Sequence, residues 1–176
     1  EIIGRTDLLK QVSRGVSNLD DLDLSPLLVQ ADPGLNKRYC ATTLINKVPP
    51  TLDEKIYNDI KNSMEKKNRV KVNYKIQNIH RAVGTRLSHY IFTKFGKKGV
   101  EPNSVQINLN GAAGQSLGAF GITGLKLNVV GDANDYVGKG LSGATIVIRP
   151  PIESNLVSNE NTIIGNTVLY GATSGR

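Results

Sequence analysis

Gly138-Lys139-Gly140-Leu141-Ser142-Gly143 fits the pattern GxGxxG, in which glycine amides hold a dinucleotide pyrophosphate. That chemistry needs a helix to open at the third glycine, so that its free amides and dipole face the phosphates. Here the third glycine leads into Ala144-Thr145-Ile146-Val147-Ile148-Arg149-Pro150-Pro151, a β-branched run closed by prolines. The acid expected about twenty residues on has no good counterpart, since Glu160 sits in a polar stretch. The segment reads as a turn between β runs. Asp132, Asn134 and Asp135 resemble the opening of a calcium loop, yet the loop's glycine and distal Glu are missing. Turn capping explains them better, because Asp and Asn side chains bond to their own turn backbone. Ser116 and Ser142 sit among glycines without a GxSxG elbow, and no His follows either one. Cys40 has no second thiol for a disulfide, a zinc site or an iron–sulfur cluster. His80 and His89 lie in unrelated helix-like surroundings, so a buried, inert thiol in a reducing compartment is the expectation. Catalytic, cofactor-binding and metal-binding residues are all expected to be none. The glycines Gly111, Gly114, Gly118, Gly131, Gly138, Gly140, Gly143, Gly165 and Gly171 are expected to be structural.

The elements around these residues follow from hydrophobic period. Residues 1–50 read as an irregular connector, with a short helical candidate at Thr6–Val12, an acidic stretch Asp20-Asp21-Leu22-Asp23, and Ser25-Pro26 as punctuation. Thr51 and Glu54 after Pro49-Pro50 form a capping box that starts a helix. Its apolar stripe is Leu52, Ile56, Ile60 and Met64, at i+4 spacing. From Val70 the period becomes two, with Val70, Val72, Tyr74 and Ile76 on one face, which predicts a strand. Leu87, Ile91 and Phe95 predict a second helix over Thr85–Phe95, stopped by Gly96. Residues 51–103 are therefore expected to form a helix-strand-helix linker. From residue 104 three β runs begin at 105, 125 and 144, each entering a glycine series. A spacing of about 20 residues lies in the range of solenoids, in which Gln115, Asn134 and Asn166 would stack as polar ladders. An antiparallel sandwich with glycine turns competes with a parallel β-helix on this spacing alone.

Composition narrows the functional classes. A hydrophobic share of 39% supports a core, and only 5% aromatic residues makes that core aliphatic. No apolar run reaches the length of a membrane span, and the N-terminus lacks a signal-peptide pattern. The formal charge of +7 suits a polyanion, but Lys and Arg are spread mainly over the first hundred residues among polar neighbours. A solvated face or an acidic neighbouring domain accounts for that charge more simply. The start at Glu1 and the end at Arg176, directly after a glycine-rich turn, read as those of an excised piece.

Gly111-Ala112-Ala113-Gly114-Gln115-Ser116-Leu117-Gly118-Ala119-Phe120, together with residues Gly131 to Gly143, resembles the signature of the GXGXG domain of glutamate synthase large subunits. Residues 81–88 and 3–9 are similar to the same family's linker between its flavin domain and this C-terminal domain. The resemblance implies a mainly β protein: a right-handed parallel β-helix, truncated at its C-terminal end, over residues 104–176, preceded by the irregular and α-helical segment. It implies a non-catalytic fragment that braces the catalytic domains of a parent forming glutamate from glutamine and 2-oxoglutarate. The parent would carry FMN and an iron–sulfur cluster, and this fragment none. Richness in Asn, Lys and Ile suggests a plastid-type genome and a ferredoxin-dependent parent, in cytoplasm or plastid stroma. Expected partners are the parent's other domains, or a second copy through an open end formed by Ile163, Ile164, Val168 and Leu169, with no nucleic acid and no membrane. A stand-alone scaffold subunit of a related oxidoreductase, or a basic nucleic-acid-binding module, are the alternatives.

Overall fold

A computed structural model describes residues 47–176 without a break and, before them, residues 5–9, 12, 15, 23, 25–29 and 34. The chain divides into two compact units, Glu1–Lys47 and Val48–Arg176. In the first, the described residues form two short 3₁₀ turns, Thr6–Leu8 and Ser25–Leu28. The helical candidate at Thr6–Val12 thus contains a turn of three residues, and the Ser25-Pro26 punctuation opens the second turn. Cys40, Asp20, Asp21 and Leu22 lie outside the described residues.

The second unit begins with helix α1, Leu52–Glu65. Thr51 Oγ1 accepts from the Glu54 amide at 3.1 Å, which satisfies one of the amides a helix start leaves open. The stripe drawn from i+4 spacing is the buried one: Ile56, Ile60 and Met64 are in the core and Leu52 packs against it. Strand β1, Val70–Ile76, follows, then helix α2, Thr85–Phe95, whose C-terminal stop is Gly96 at φ +80°. Strands β2 (Val105–Gly111), β3 (Leu125–Val130) and β4 (Thr145–Arg149) complete the regular elements with a four-residue helix α3, Ser158–Asn161.

All four strands pair in parallel in the order β1-β2-β3-β4. The register puts Val72, Ile107, Leu127 and Ile146 side by side in one inward row. Ile107 and Leu127 in that row are fully buried, together with Leu87 and Ile91 of α2, and each such side chain contributes about 1.5–3 kcal/mol on leaving water. Tyr74 Oη donates to Asp59 of α1 at 2.7 Å, and Tyr90 of α2 meets Tyr57 edge to face at 5.3 Å. Among the described residues no helix is long and apolar enough to cross a membrane.

This architecture corrects the expected fold class. The protein is an α/β fold built on one four-stranded parallel sheet, not a mainly β, right-handed parallel β-helix preceded by a linker. Two physical facts account for the difference. The strand at 70–76 belongs to the same sheet, because it hydrogen-bonds along its whole length to β2, with α2 in the connection between them. The glycine segments after β2 and β3 meet through single bridges instead of strands. Left-handed residues at Ser116, Gly118 and Phe120 (φ +64°, +65°, +56°) interrupt any extended run there, so no second sheet forms among the described residues.

Candidate functional site

Three turn segments lie one on another beside the sheet. Ala113 bridges Ala133 in parallel, and Ala133 bridges Ile164. In this register Ser116, Tyr136 and Thr167 share a position and all have left-handed backbones, with φ +64°, +64° and +57°. The next such position holds Gly118, Gly138 and Leu169, and the third holds Phe120, Gly140 and Gly171. The repeated conformation aims amides from one segment at carbonyls of the next. Ser116 N donates to Asp135 O at 2.9 Å and Tyr136 N to Asn166 O at 2.9 Å; Phe120 N donates to Lys139 O at 2.7 Å and Gly140 N to Tyr170 O at 2.8 Å. The first two segments are 20 residues apart, whereas the third is 31 residues from the second, and the additional residues form the exposed excursion that contains α3.

The GxGxxG stretch falls inside this stack. The amides of Gly138 and Ser142 donate to Leu117 O and Gly121 O of the preceding segment, at 2.8 and 2.7 Å. With Gly140 N also engaged, the amides of Gly138, Gly140 and Ser142 already have partners, and the stretch leads into β4 rather than a helix. Asp132 offers its main-chain carbonyl to Ala113 N, and Asp135 Oδ1 accepts from Asn166 N at 2.7 Å, so these residues serve the stack. Among the described residues no group of three or more His, Cys, Asp or Glu could hold a metal ion. His80 Nδ1 accepts from the Gln77 amide at 3.0 Å, and His89 is exposed on α2.

The nine glycines singled out above all lie in or at the ends of these segments. Gly111 ends β2 and Gly131 follows β3; Gly114 and Gly118, then Gly138, Gly140 and Gly143, then Gly165 and Gly171, occupy the three turn segments. Among these nine, the closest approach to another backbone is at Gly111 and Gly131. A β-carbon on Gly131 would lie 2.2 Å from Gly111 O, and one on Gly111 would lie 2.2 Å from Ile76 O.

The polar ladder is elsewhere than expected. Asn108 Nδ2 donates to Asn73 Oδ1 at 2.8 Å and Asn128 Nδ2 to Asn108 Oδ1 at 2.9 Å, across three strands. Gln115 Oε1 is buried without a hydrogen-bond partner, and Asn134 stands one position out of register from Asp135 and Asn166. The signal was present in the β runs, where Asn is the fourth residue of VKVN, VQIN and LKLN. Sequence reasoning also missed Asp53. Its carboxylate accepts from Gly84 N at 2.7 Å and Arg86 N at 2.8 Å, joining the start of α1 to the start of α2. Burial pushes its carboxyl up, against the downward pull of the Arg86 and Gly84 amides and of the Arg86 charge.

The site is thus an α/β domain in which the glycine turns that follow β2, β3 and β4 stack backbone on backbone. A family model described as the GXGXG motif matches residues 53–176, and the chain belongs to that family. It is 58% identical over its full length to the glutamate synthase [NADPH] large chain of Azospirillum brasilense, of which it covers 12%. It is 43% identical over 99% of its length to ferredoxin-dependent glutamate synthase 2 of Synechocystis, covering 11%, and 40% identical to the NADH glutamate synthase of Saccharomyces cerevisiae, covering 8%. The chain therefore corresponds to the GXGXG region of glutamate synthase large chains and spans about a tenth of the length of these relatives.

Proposed function

We propose that this chain is a non-catalytic structural part of a glutamate synthase, bracing catalytic domains that lie elsewhere in a larger polypeptide. The observation that carries this reading is the hydrogen-bonded stack, in which the amides of Gly138, Gly140 and Ser142 are engaged by Leu117, Tyr170 and Gly121 of neighbouring segments instead of being free for a ligand. In the parent, glutamate would be formed from glutamine and 2-oxoglutarate. FMN and an iron–sulfur cluster would be held outside residues 1–176, where thiols for a cluster must be supplied, since Cys40 is the chain's single cysteine. The relatives bear the names of NADPH, NADH and ferredoxin enzymes, so the stack is compatible with each of these electron donors. Mass measurement of the native polypeptide tests the reading. A product far above 19.0 kDa that contains this sequence is expected, and a stable native product near that mass would turn the reading into that of a stand-alone scaffold.

The isolated chain is expected to self-associate. Ile163, Ile164, Val168 and Leu169 are exposed along the third turn segment, with Tyr170 beside them. Light scattering should show mass growing with concentration, and a strict monomer at high concentration would refute this.

A further inference from the structure

We infer that the outward face of the sheet docks an acidic protein surface belonging to the rest of the parent polypeptide. Strand alternation sends Lys71, Asn73 and Lys75 of β1 outward, and the pairing register aligns them with the outward rows of the other strands. One row runs Lys71, Gln106, Lys126, Thr145; the next runs Asn73, Asn108, Asn128, Val147; the third runs Lys75, Asn110, Val130, Arg149. Four of these side chains are cationic, and the four strands contain no Asp or Glu. Among the described residues none of Lys71, Lys75, Lys126 or Arg149 has a salt-bridge partner.

Three physical points turn this pattern into a surface with a stated partner. First, parallel sheets are usually covered on both faces, and among the described residues of this unit α1, α2 and the turn segments pack against the inward one. Second, the outward face is polar and single-signed, so the layer that complements it must bring carboxylates. Third, a cavity of about 540 Å³ runs along the asparagine ladder, lined by Asn73, Asn108, Asn128, Val147 and Arg149, which gives a protruding acidic side chain somewhere to enter. The ladder holds its own amides in place across β1 to β3, so the cations flank a pre-ordered strip. A protein suits this face better than a nucleic acid. Its twelve outward side chains include no aromatic residue on which a base could stack. Lys71 and Lys126 are two strands apart, about 10 Å, and Lys75 and Arg149 three strands apart, about 14 Å, a sparse set for a phosphate backbone.

The inference rests on the chain's being part of a larger polypeptide, and mass measurement of that polypeptide reports on this premise separately. The docking itself is tested in the native full-length protein by amine acetylation read residue by residue. Lys71, Lys75 and Lys126 are expected to react at least about tenfold more slowly than Lys66 and Lys67, the exposed lysines just after α1. Carbodiimide coupling should then join at least one of the three to an Asp or Glu outside residues 1–176. Labelling as fast as at Lys66 would overturn the inference, as would protection that disappears on nuclease treatment. Coupling only to Asp20, Asp21 or Asp23 of this same chain would overturn it too.

Discussion

Replacing Gly131 with alanine should cost at least about 3 kcal/mol of stability, because the new β-carbon would lie 2.2 Å from Gly111 O and 2.8 Å from its carbonyl carbon. Neither neighbour can yield cheaply. Gly111 is paired with Ile76 at the end of β2, and Gly131 N donates to Arg149 O at 2.8 Å, so both backbones are held from two sides. The φ of +141° adds strain that any L side chain meets there. Gly171→Ala separates the two contributions. Gly171 also has a positive φ, +69°, but nothing lies within 4 Å of the position a β-carbon would take, so only conformational strain of about 1–2 kcal/mol is expected. Urea denaturation of the two variants checks the difference. Equal midpoints would show that close backbone approach is not what makes glycine necessary after β3. Gly118→Val and Gly140→Val should fall between them, about 1–3 kcal/mol, since their nearest neighbours are the Ile146 side-chain tip and the Phe120 ring.

Asp53→Ala should be the other large loss, about 2–5 kcal/mol, because it strips the buried amide of Gly84 and the part-buried amide of Arg86 of their acceptor. Asp53→Asn keeps one acceptor but turns an NH₂ group toward the second amide, and roughly half that loss is expected. The pH dependence has a definite sign. Burial raises the Asp53 carboxyl in the folded state, so its contribution is fully present below the ordinary carboxylate range. That contribution diminishes as pH rises through the folded value. The stability gap between the protein and Asp53→Asn should therefore narrow with rising pH. A gap that widened between mildly acidic and neutral pH would mean that the two amide bonds outweigh desolvation at this carboxylate.

How far these features were readable from sequence depends on what encodes them. Helices α1 and α2 and strand β1 lay where hydrophobic period placed them, since each buries one face and needs apolar residues at fixed spacing. Which strands neighbour which was not written in that period. Val70, Val72 and Ile76 declare a strand, but nothing in their spacing names β2 as the partner. The glycine segments misled for a different reason. Their repeat specifies left-handed corners and close approach, properties that a continuous helix of strands and a set of stacked turns share. Asp53 was hidden because its two partners lie 31 and 33 residues away and are main-chain amides, which every residue but proline offers.

The excursion between β4 and the third turn segment separates the length of the polypeptide from the geometry of its stack. Residues 155–161 are exposed, yet Ile164 returns to its bridge with Ala133, and Tyr136 and Gly140 find their acceptors as their counterparts one layer earlier do. Closing a longer loop adds little entropic cost once its ends are fixed, about 0.6 kcal/mol for each doubling. The excursion is therefore a permissive grafting point: an epitope or a reporter domain spliced between Leu156 and Asn159 would enter the polypeptide without changing which amide meets which carbonyl.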